Sequence, residues 1–486
     1  MRRSRRAAVA TAGTVAALAL AACTFTHGHQ PAPGKPNIVF VLTDDLAWNL
    51  VQYMPHVLAM QKDGVTLSKY YVVDSLCCPS RSAILTGQYP HNDGVFTNGG
   101  NDGGYNTFNR RGNQPSTFAV ALQKAGYRTG LMGKYLNGYP PADKPQPGWG
   151  EWDVAGNGYA EFNYKLNQNG SVHRYGKAPK DYLTDVLAGK AVSFIDKSAG
   201  AGRPFLLEVA TFAPHKPSTP APADAAKFPG LAAPRPAAYN TTPSGAPAWL
   251  AAIPALTADD NGLIDREFRK RVQSVQAVDR LIGRIQHELV AKGLAKDTYL
   301  VFSSDNGYHM GEYRLRPGKQ TAFDTDINVP LMVTGPGVPA GRTITALTSG
   351  IDLAPTFEAI GGASVPTTVD GTGLLSLWHG QQSGDWQQGI LVEHHGPDRT
   401  ARDPDQPGRA SGDPPSYEAL RTATALYVRY TDGQREYYDT NADPAELHNL
   451  AATAAPARLA ALEHALSALE RCHRAAACQR AARLAG

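Results

Sequence analysis

The sequence predicts an α/β protein: a large, mostly parallel mixed sheet sandwiched by helices, plus a smaller C-terminal antiparallel sheet with a terminal helix. Three observations lead there. From Asn37 to about Gly361, short apolar runs alternate with helical segments. The first run, Asn37 to Thr43, is continuously apolar rather than alternating, which suits a strand buried on both faces of a parallel sheet. Beyond about Leu375 the alternation gives way to short strands and one leucine-spaced helix. The 486 residues are ample for one large domain and a smaller one.

Taken in order, the chain opens with Arg2, Arg3, Arg5 and Arg6 ahead of the short apolar run Ala7 to Leu20. Such a run is too short to stay in a bilayer as a spanning helix. Leu20-Ala21-Ala22-Cys23 reads as a lipobox, so residues 1–22 are expected to be a lipoprotein signal peptide and Cys23 a lipid anchor. Ser4-Arg5-Arg6 is an incomplete twin-arginine motif, which leaves Sec and Tat export both open. Residues 23–35, with Pro31, Pro33 and Gly34, read as a tether to an exported body at the cell surface or the periplasmic face of the membrane. The whole chain carries 47 basic and 43 acidic residues. Without the four signal arginines it is balanced at 43 of each, which removes any case for nucleic-acid binding through bulk charge.

The body then divides into residues 36–375 and a C-terminal subdomain, 376–486. Asp44-Asp45 follows the first strand at once, where open α/β sheets place their ligands. A hard cation is the natural partner for adjacent carboxylates there, and a solvated turn is the alternative. Met54 to Lys62 reads as a helix stopped by Gly64, and Val65 to Val73 as extended chain. Ser80 to Leu85 can start a helix whose N-terminal amides favour an anionic substrate. Thr117 to Ala125 and Asp181 to Lys197 read as helices, with strands at Tyr127 to Met132 and Pro204 to Ala210. Lys134 lies just beyond the former strand, and Thr211-Phe212-Ala213-Pro214-His215 follows the latter. Lys216 to about Pro254 lacks periodicity and must be largely loop. Val272, Val275, Val278, Ile282, Ile285 and Leu289 step by three and four along one helix face. Strands follow at Thr298 to Ser303, just before Asp305-Asn306-Gly307, and at Val329 to Val333, with a helix from Asp352 to Ile360. Gly389 to Val392, Ala425 to Tyr430 and Arg435 to Asp439 read as the late strands, and Leu459, Leu462, Leu466 and Leu469 mark the last helix.

The stretch Cys77-Cys78-Pro79-Ser80-Arg81, continuing to Leu85 and Gly87, carries the chemistry. As half of a metal site it has no partner, because only Cys472 and Cys478 remain beyond the signal and no Cys-x-x-Cys exists. A buried structural thiol is the other bland reading. The long pattern Cys-x-Pro-Ser-Arg-x-x-x-Leu-x-Gly resembles the signature of the type I sulfatases, the formylglycine-dependent members of the alkaline-phosphatase-like superfamily. That resemblance implies that Cys77 is oxidised to Cα-formylglycine by a formylglycine-generating enzyme. The hydrated aldehyde would then attack sulfur, and the sulfated intermediate would break down to sulfate and aldehyde.

Further roles are implied residue by residue. Asp44, Asp45, Asp305 and Asn306 match ligands of one Ca2+, with Cys77 bound to it as well; all-oxygen ligation leans to calcium over magnesium. Arg81 matches the arginine that steadies the formylglycine hydrate, Lys134 and Lys319 the lysines that grip sulfate, and His215 the histidine that protonates the leaving oxygen. One departure is plain: Lys134 is followed by Tyr135-Leu136-Asn137, so Leu136 stands in the slot of a family histidine, and His309 is a candidate replacement.

The same run is similar to the N-acetylglucosamine-6-sulfatase branch of the family. So are Tyr89-Pro90-His91-Asn92, Asp181-Tyr182-Leu183-Thr184-Asp185, Phe268-Arg269-Lys270-Arg271 and Asp305-Asn306-Gly307-Tyr308-His309. That points to a sulfated sugar substrate such as N-acetylglucosamine 6-sulfate, with His91, Asn92, Asn98, His394 and His395 as candidate sugar contacts alongside His309. Cys472 and Cys478 echo this branch too; an oxidising compartment favours a disulfide, and two free thiols at a helix end are the alternative. Two other functions stand beside the leading one: an arylsulfatase or phosphonate/phosphate ester hydrolase of the same superfamily, and an unmatured surface lipoprotein that binds glycans without chemistry.

Overall fold

The computed structural model describes residues 34–381, 384, 386–397, 403–408 and 410–484. The expected signal segment, Cys23 and most of the expected tether lie outside the described residues. Lys35–Gly486 forms one compact unit.

Strand β1 (Asn37–Thr43) is the middle of the fold. Ile38, Phe40 and Leu42 enter one core with Phe118 and Phe357, while Val39 and Val41 enter another on the opposite face. A strand whose side chains alternate between two buried layers must be apolar at every position, which is why its sequence does not alternate. Each of those side chains, fully removed from water, contributes about 1.5–3 kcal/mol.

Strands β2 (Val65–Leu67), β3 (Tyr70–Tyr71), β4 (Arg128–Lys134) and β5 (Glu151–Ala155) follow. Next come β6 (Lys165–Gln168), β7 (Ser171–Arg174), β8 (Phe205–Ala210) and β9 (Thr298–Ser304). Then come β10 (Leu331–Thr334), β11 (Arg342–Ile344) and β12 (Thr348–Ser349). Ten of them form one sheet in the order β11-β2-β10-β9-β1-β8-β4-β5-β6-β7, while β3 and β12 pair separately. Strands β9, β1, β8, β4 and β5 are parallel, and β6, β7 and β10 join antiparallel. The parallel centre is what the apolar runs indicate. The edge formed by β5, β6 and β7 is not, because Lys165–Gln168 and the wholly exposed Ser171–Arg174 are polar.

The helix Ala258–Ala291 is longer than its apolar stripe alone implies. Its start is fixed by a capping box: the Thr257 hydroxyl accepts from the Asp260 amide at 3.2 Å, and the Asp260 carboxylate accepts from the Thr257 amide at 3.0 Å. Its buried face covers β1 and β8 together with the helix Leu183–Ala201.

Strands β13 (Gly389–His394), β14 (Tyr417–Thr422), β15 (Ala425–Tyr430) and β16 (Arg435–Asp439) form the second, wholly antiparallel sheet. Its Ile390, Leu420 and Leu426 share a core with the large sheet. Leu462, Leu466 and Leu469 of the helix Pro456–Leu469 pack there as well, and a disulfide joins Cys472 to Cys478. Among the described residues, no helix is long and apolar enough to cross a membrane.

Candidate active site

Sheet register assembles the site. Thr43 of β1 lies beside Ser304 of β9, so Asp44-Asp45 and Asp305-Asn306 leave neighbouring parallel strands at the same level. On the other side of β1, Leu42 pairs with Ala210 of β8, and Ala210 pairs with Gly133 of β4. This delivers His215, five residues past β8, and Lys134, the last residue of β4, to the same carboxyl edge.

Cys77 is the first residue of the buried helix Cys77–Thr86, which ends at Gly87 in the left-handed region (φ 68°). The helix aims its amino end and Arg81 into the cluster. Arg81 Nε donates to Asp305 Oδ2 at 2.7 Å, and the Ser80 hydroxyl donates to the Asp305 carbonyl. The Cys77 thiol lies 3.2 Å from Asp44 Oδ1 and accepts from Lys319 Nζ at 2.7 Å. Lys134 Nζ donates to Asp44 Oδ2 at 2.6 Å, and Lys319 Nζ to Asp45 Oδ1 at 2.6 Å. All of these groups are buried.

Burial alone would raise the Asp44 pKa, but Lys134, His215, Arg81 and Lys319 together hold it well below the usual carboxylate range. For Asp305 burial wins over Arg81, and its pKa rises to about 6. Burial likewise pushes the Cys77 thiol well up, with Asp405 and Asp44 adding to the effect, so the encoded side chain is a poor thiolate nucleophile. Burial would lower the pKa of Lys319 and His215, yet the surrounding carboxylates, Asp405 foremost, raise both. His215 Nδ1 faces the Lys216 carbonyl at 2.7 Å, which turns Nε2 toward Asp405 (2.5 Å) and Asp45 (3.7 Å).

A cation fits the donor set. Among the described residues, the buried Asp45 Oδ2 and Asn306 Oδ1 accept no hydrogen bond, although Asn306 Nδ2 donates to Asp45 Oδ1 at 2.7 Å. Two idle buried oxygens are costly unless a further partner binds them. Asp44, Asp45, Cys77 and His215 each offer a ligand atom within 4.8 Å of the others.

Several members of the site escaped sequence reasoning. Asp405, buried, reaches His215, Lys319 (3.0 Å), the Cys77 thiol (3.4 Å) and Asn98 Nδ2 (2.9 Å). It lies beyond Leu375, in a run with no periodicity to mark it. Tyr159 packs its ring on His215 at 4.4 Å and lies 5.2 Å beneath the Lys134 ammonium. Arg271, inside a motif already noted, donates to the Asp45 carbonyl and so braces a residue held at φ 66°.

Other sequence candidates go elsewhere. His309 spends Nδ1 on Asp326 (2.9 Å) and Nε2 on the Ser411 carbonyl (3.1 Å), so it stands beside the cluster without a free nitrogen. Leu136 is buried in the core. His91 bonds Glu393 and the Cys472 carbonyl, and Asn92 bonds Asp370 and the same carbonyl. His394 is buried, has no hydrogen-bond partner among the described residues, and has its pKa lowered to about 3 by burial. His395 stacks on Phe96 and pairs with Asp102 at 2.8 Å. Of the candidate sugar contacts, Asn98 alone touches the cluster, through Asp405 and the Cys78 amide.

A parallel sheet whose central strand ends gather carboxylates, two lysines, an arginine and a histidine around one cysteine is a site for esters of strong oxyacids. Residues 36–363 match the protein-family profile "Sulfatase", and the chain belongs to that family: it is a sulfuric ester hydrolase. Residues 311–471 match "N-sulphoglucosamine sulphohydrolase, C-terminal". The chain is 33% identical to human N-acetylglucosamine-6-sulfatase over 487 aligned residues, covering 94% of this chain and 88% of that protein. It is 35% identical to a Caenorhabditis elegans extracellular sulfatase Sulf-1 homolog, covering 74% of this chain and 52% of that one. In fold it resembles BT4656, solved in complex with its substrate D-glucosamine-2-N,6-O-disulfate (TM-score 0.73, 22% identity, 89% and 97% of the two chains). It also resembles a phosphonate monoester hydrolase from Silicibacter pomeroyi (TM-score 0.66, 23% identity, 88% and 93%), a likeness of fold alone.

Proposed function

We propose that this sulfatase removes the 6-sulfate of N-acetylglucosamine, free or within a glycan, using formylglycine made from Cys77 and one calcium ion. The observation that carries the reading is the convergence of Asp44, Asp45, Asp305 and Asn306 with Cys77 at neighbouring strand ends, two of their oxygens idle. Similarity to N-acetylglucosamine-6-sulfatases over nearly the whole chain supports the sugar. When present, the formylglycine hydrate supplies an oxygen nucleophile, and the calcium draws charge off the ester.

The chain's own groups supply the rest. Lys134 and Lys319 hold sulfate oxygens by fixed charge in a water-poor site. The sulfate contends with the Asp405 carboxylate, because both are anions seeking Lys319. Arg81 holds the Asp305 carboxylate in place and opposes the rise in its pKa that burial causes. His215, its pKa raised by its carboxylate neighbours against burial, is placed to present a protonated Nε2 to the leaving oxygen, and the Lys216 carbonyl beside Nδ1 fixes which nitrogen that is.

A formylglycine-generating enzyme is required for maturation under this reading. Export, with lipid attachment at Cys23 to the cell surface or periplasmic face, follows from the basic and apolar N-terminal segment. The Cys472–Cys478 disulfide suits an oxidising compartment.

The test is sulfate release from N-acetylglucosamine 6-sulfate by protein co-produced with a formylglycine-generating enzyme. We expect turnover that Cys77→Ala abolishes. Turnover of 4-nitrophenyl sulfate with none of the sugar ester would remove the sugar assignment.

A further inference from the structure

The catalytic cluster is shut. Asp44, Asp45, Cys77, Lys134, His215 and Lys319 are all buried. The cavity beside them, lined by Lys319, Gln320 and Asp405, holds about 10 Å³, room for one water at most. A sulfate ester reaches Cys77 only if some part of the chain withdraws.

Residues 403–408 are held by polar contacts rather than by packing. Their sequence, Asp-Pro-Asp-Gln-Pro-Gly, brings no aliphatic or aromatic side chain other than proline's. Pro404, Gln406 and Gly408 are exposed, and Asp405 alone of the six is buried. Asn98 Nδ2 donates to Asp403 Oδ1 at 3.3 Å, and Gln320 Nε2 donates to the Asp405 carbonyl at 3.3 Å. A segment with so little apolar burial opens at a low free energy. Just beyond it the chain is fastened. The Ala410 carbonyl accepts from the Arg316 amide at 2.7 Å, and the Ser411 carbonyl lies 3.1 Å from His309 Nε2.

What Asp405 touches identifies its job. Its Oδ1 lies 2.5 Å from His215 Nε2 and 3.0 Å from Lys319 Nζ. Its Oδ2 lies 3.4 Å from the Cys77 thiol and accepts from Asn98 Nδ2 at 2.9 Å. Under the proposed function these partners belong to the substrate: His215 to the leaving oxygen, Lys319 to the sulfate, Cys77 to the attack on sulfur. A carboxylate imitates one edge of a sulfate, since both present paired anionic oxygens to charged donors. A permanent structural ion pair is the alternative, but it leaves the ester no place at His215 and Lys319. We infer that Asp405 is an internal substrate mimic: residues 403–408 plug the active site, and an incoming sulfate ester displaces the Asp405 carboxylate to reach Cys77. This rests on the proposed roles of Lys319 and His215 and not on the identity of the sugar. Binding then competes with closure, so a plug shut roughly nine-tenths of the time weakens the apparent affinity about tenfold.

The experiment uses the full chain, co-produced with a formylglycine-generating enzyme, with inorganic sulfate as the probe. Hydrogen exchange read by mass spectrometry follows the peptide carrying residues 403–408. In wild type, saturating sulfate should raise its exchange several-fold, the reverse of the protection that a bound ligand confers on its own contacts. Asp405→Asn should show the raised exchange without sulfate and, by calorimetry, bind sulfate about tenfold more tightly. Unchanged or slower exchange in sulfate-bound wild type, or sulfate binding no tighter in the variant, would overturn the plug. A variant that fails to fold leaves the wild-type exchange to decide. If neither protein bound sulfate, the anion-gripping roles would fail on their own, and the variant's exchange would decide the plug: raised supports it, unchanged overturns it.

Discussion

The strand-end cluster and the junction around His91 use the same kinds of side chain to opposite ends. At the junction, His91 gives one nitrogen to Glu393 and the other to the Cys472 carbonyl, and Asn92 donates to Asp370 and that same carbonyl. Apart from the idle Asn92 Oδ1, polar valence there is consumed by the protein, which ties the helix around Pro90 to the disulfide-bearing end. In the cluster, Asp45, Asn306 and Arg81 each leave a buried polar atom idle. The cluster thus carries more unspent hydrogen-bonding and charge than the joint, as a site that takes a ligand requires. Residue type alone cannot separate the two; the amount of idle valence differs between them.

Breaking the cluster should have the largest effect. Replacing His215 with Gln should lower kcat on N-acetylglucosamine 6-sulfate by roughly 10²–10⁴-fold. The loss on 4-nitrophenyl sulfate, whose leaving group needs no proton, should be much smaller. Similar losses on both esters would contradict the assigned proton donor. Lys319→Met should cost about 10²–10³ in kcat, as expected for one charged anchor of the transition state. A thermal melt of the same variant should show it folded.

Removing the cation should act on both activity and stability. Chelation by EGTA should abolish turnover and lower the melting midpoint, since a ligand present at about 100 times its Kd stabilises by about 2.7 kcal/mol. Calcium should restore both, and a midpoint indifferent to EGTA would argue against the ion.

The junction should respond to stability assays alone. His91→Gln leaves Glu393 buried without its cationic partner, a loss of roughly 1–3 kcal/mol. Turnover should stay within about twofold, because His91 lies outside the cluster. Its pH dependence sharpens the comparison. Burial opposes the charged ring, but Glu393, the Cys472 carbonyl and Asp370 raise its pKa from 6.5 to about 9. A pKa raised on folding stabilises fully below the unfolded value and is lost as pH climbs through the folded one. The melting midpoint of wild type should therefore fall more steeply between pH 6.5 and 9 than that of the variant. Parallel curves would contradict the assignment.

Much of this was legible in the sequence wherever a local rule carried it. Asp44-Asp45 and Asp305-Asn306 follow unbroken apolar runs, and such runs end at the ligand edge of a parallel sheet, so their meeting could be foreseen. The Cys77 helix was legible from its motif and Gly87 stop. Asp405 was not, because no periodic pattern marks residues 403–408 and nothing local ties them to His215. The β5, β6 and β7 edge is hidden by polar composition, and the first turns of Ala258–Ala291 by a charged start that carries no apolar stripe and is fixed by a capping box. His309 was well placed along the chain, but its pairing with Asp326 is a tertiary fact.

The most direct test of the account is the mass of the peptide containing Cys77, measured across preparations made with graded amounts of formylglycine-generating enzyme and matched to their sulfatase activity. The account predicts activity proportional to the fraction in which the Cys77 thiol has become an aldehyde, extrapolating to none for the unmodified protein. Full activity in a preparation whose Cys77 remains a thiol would contradict it.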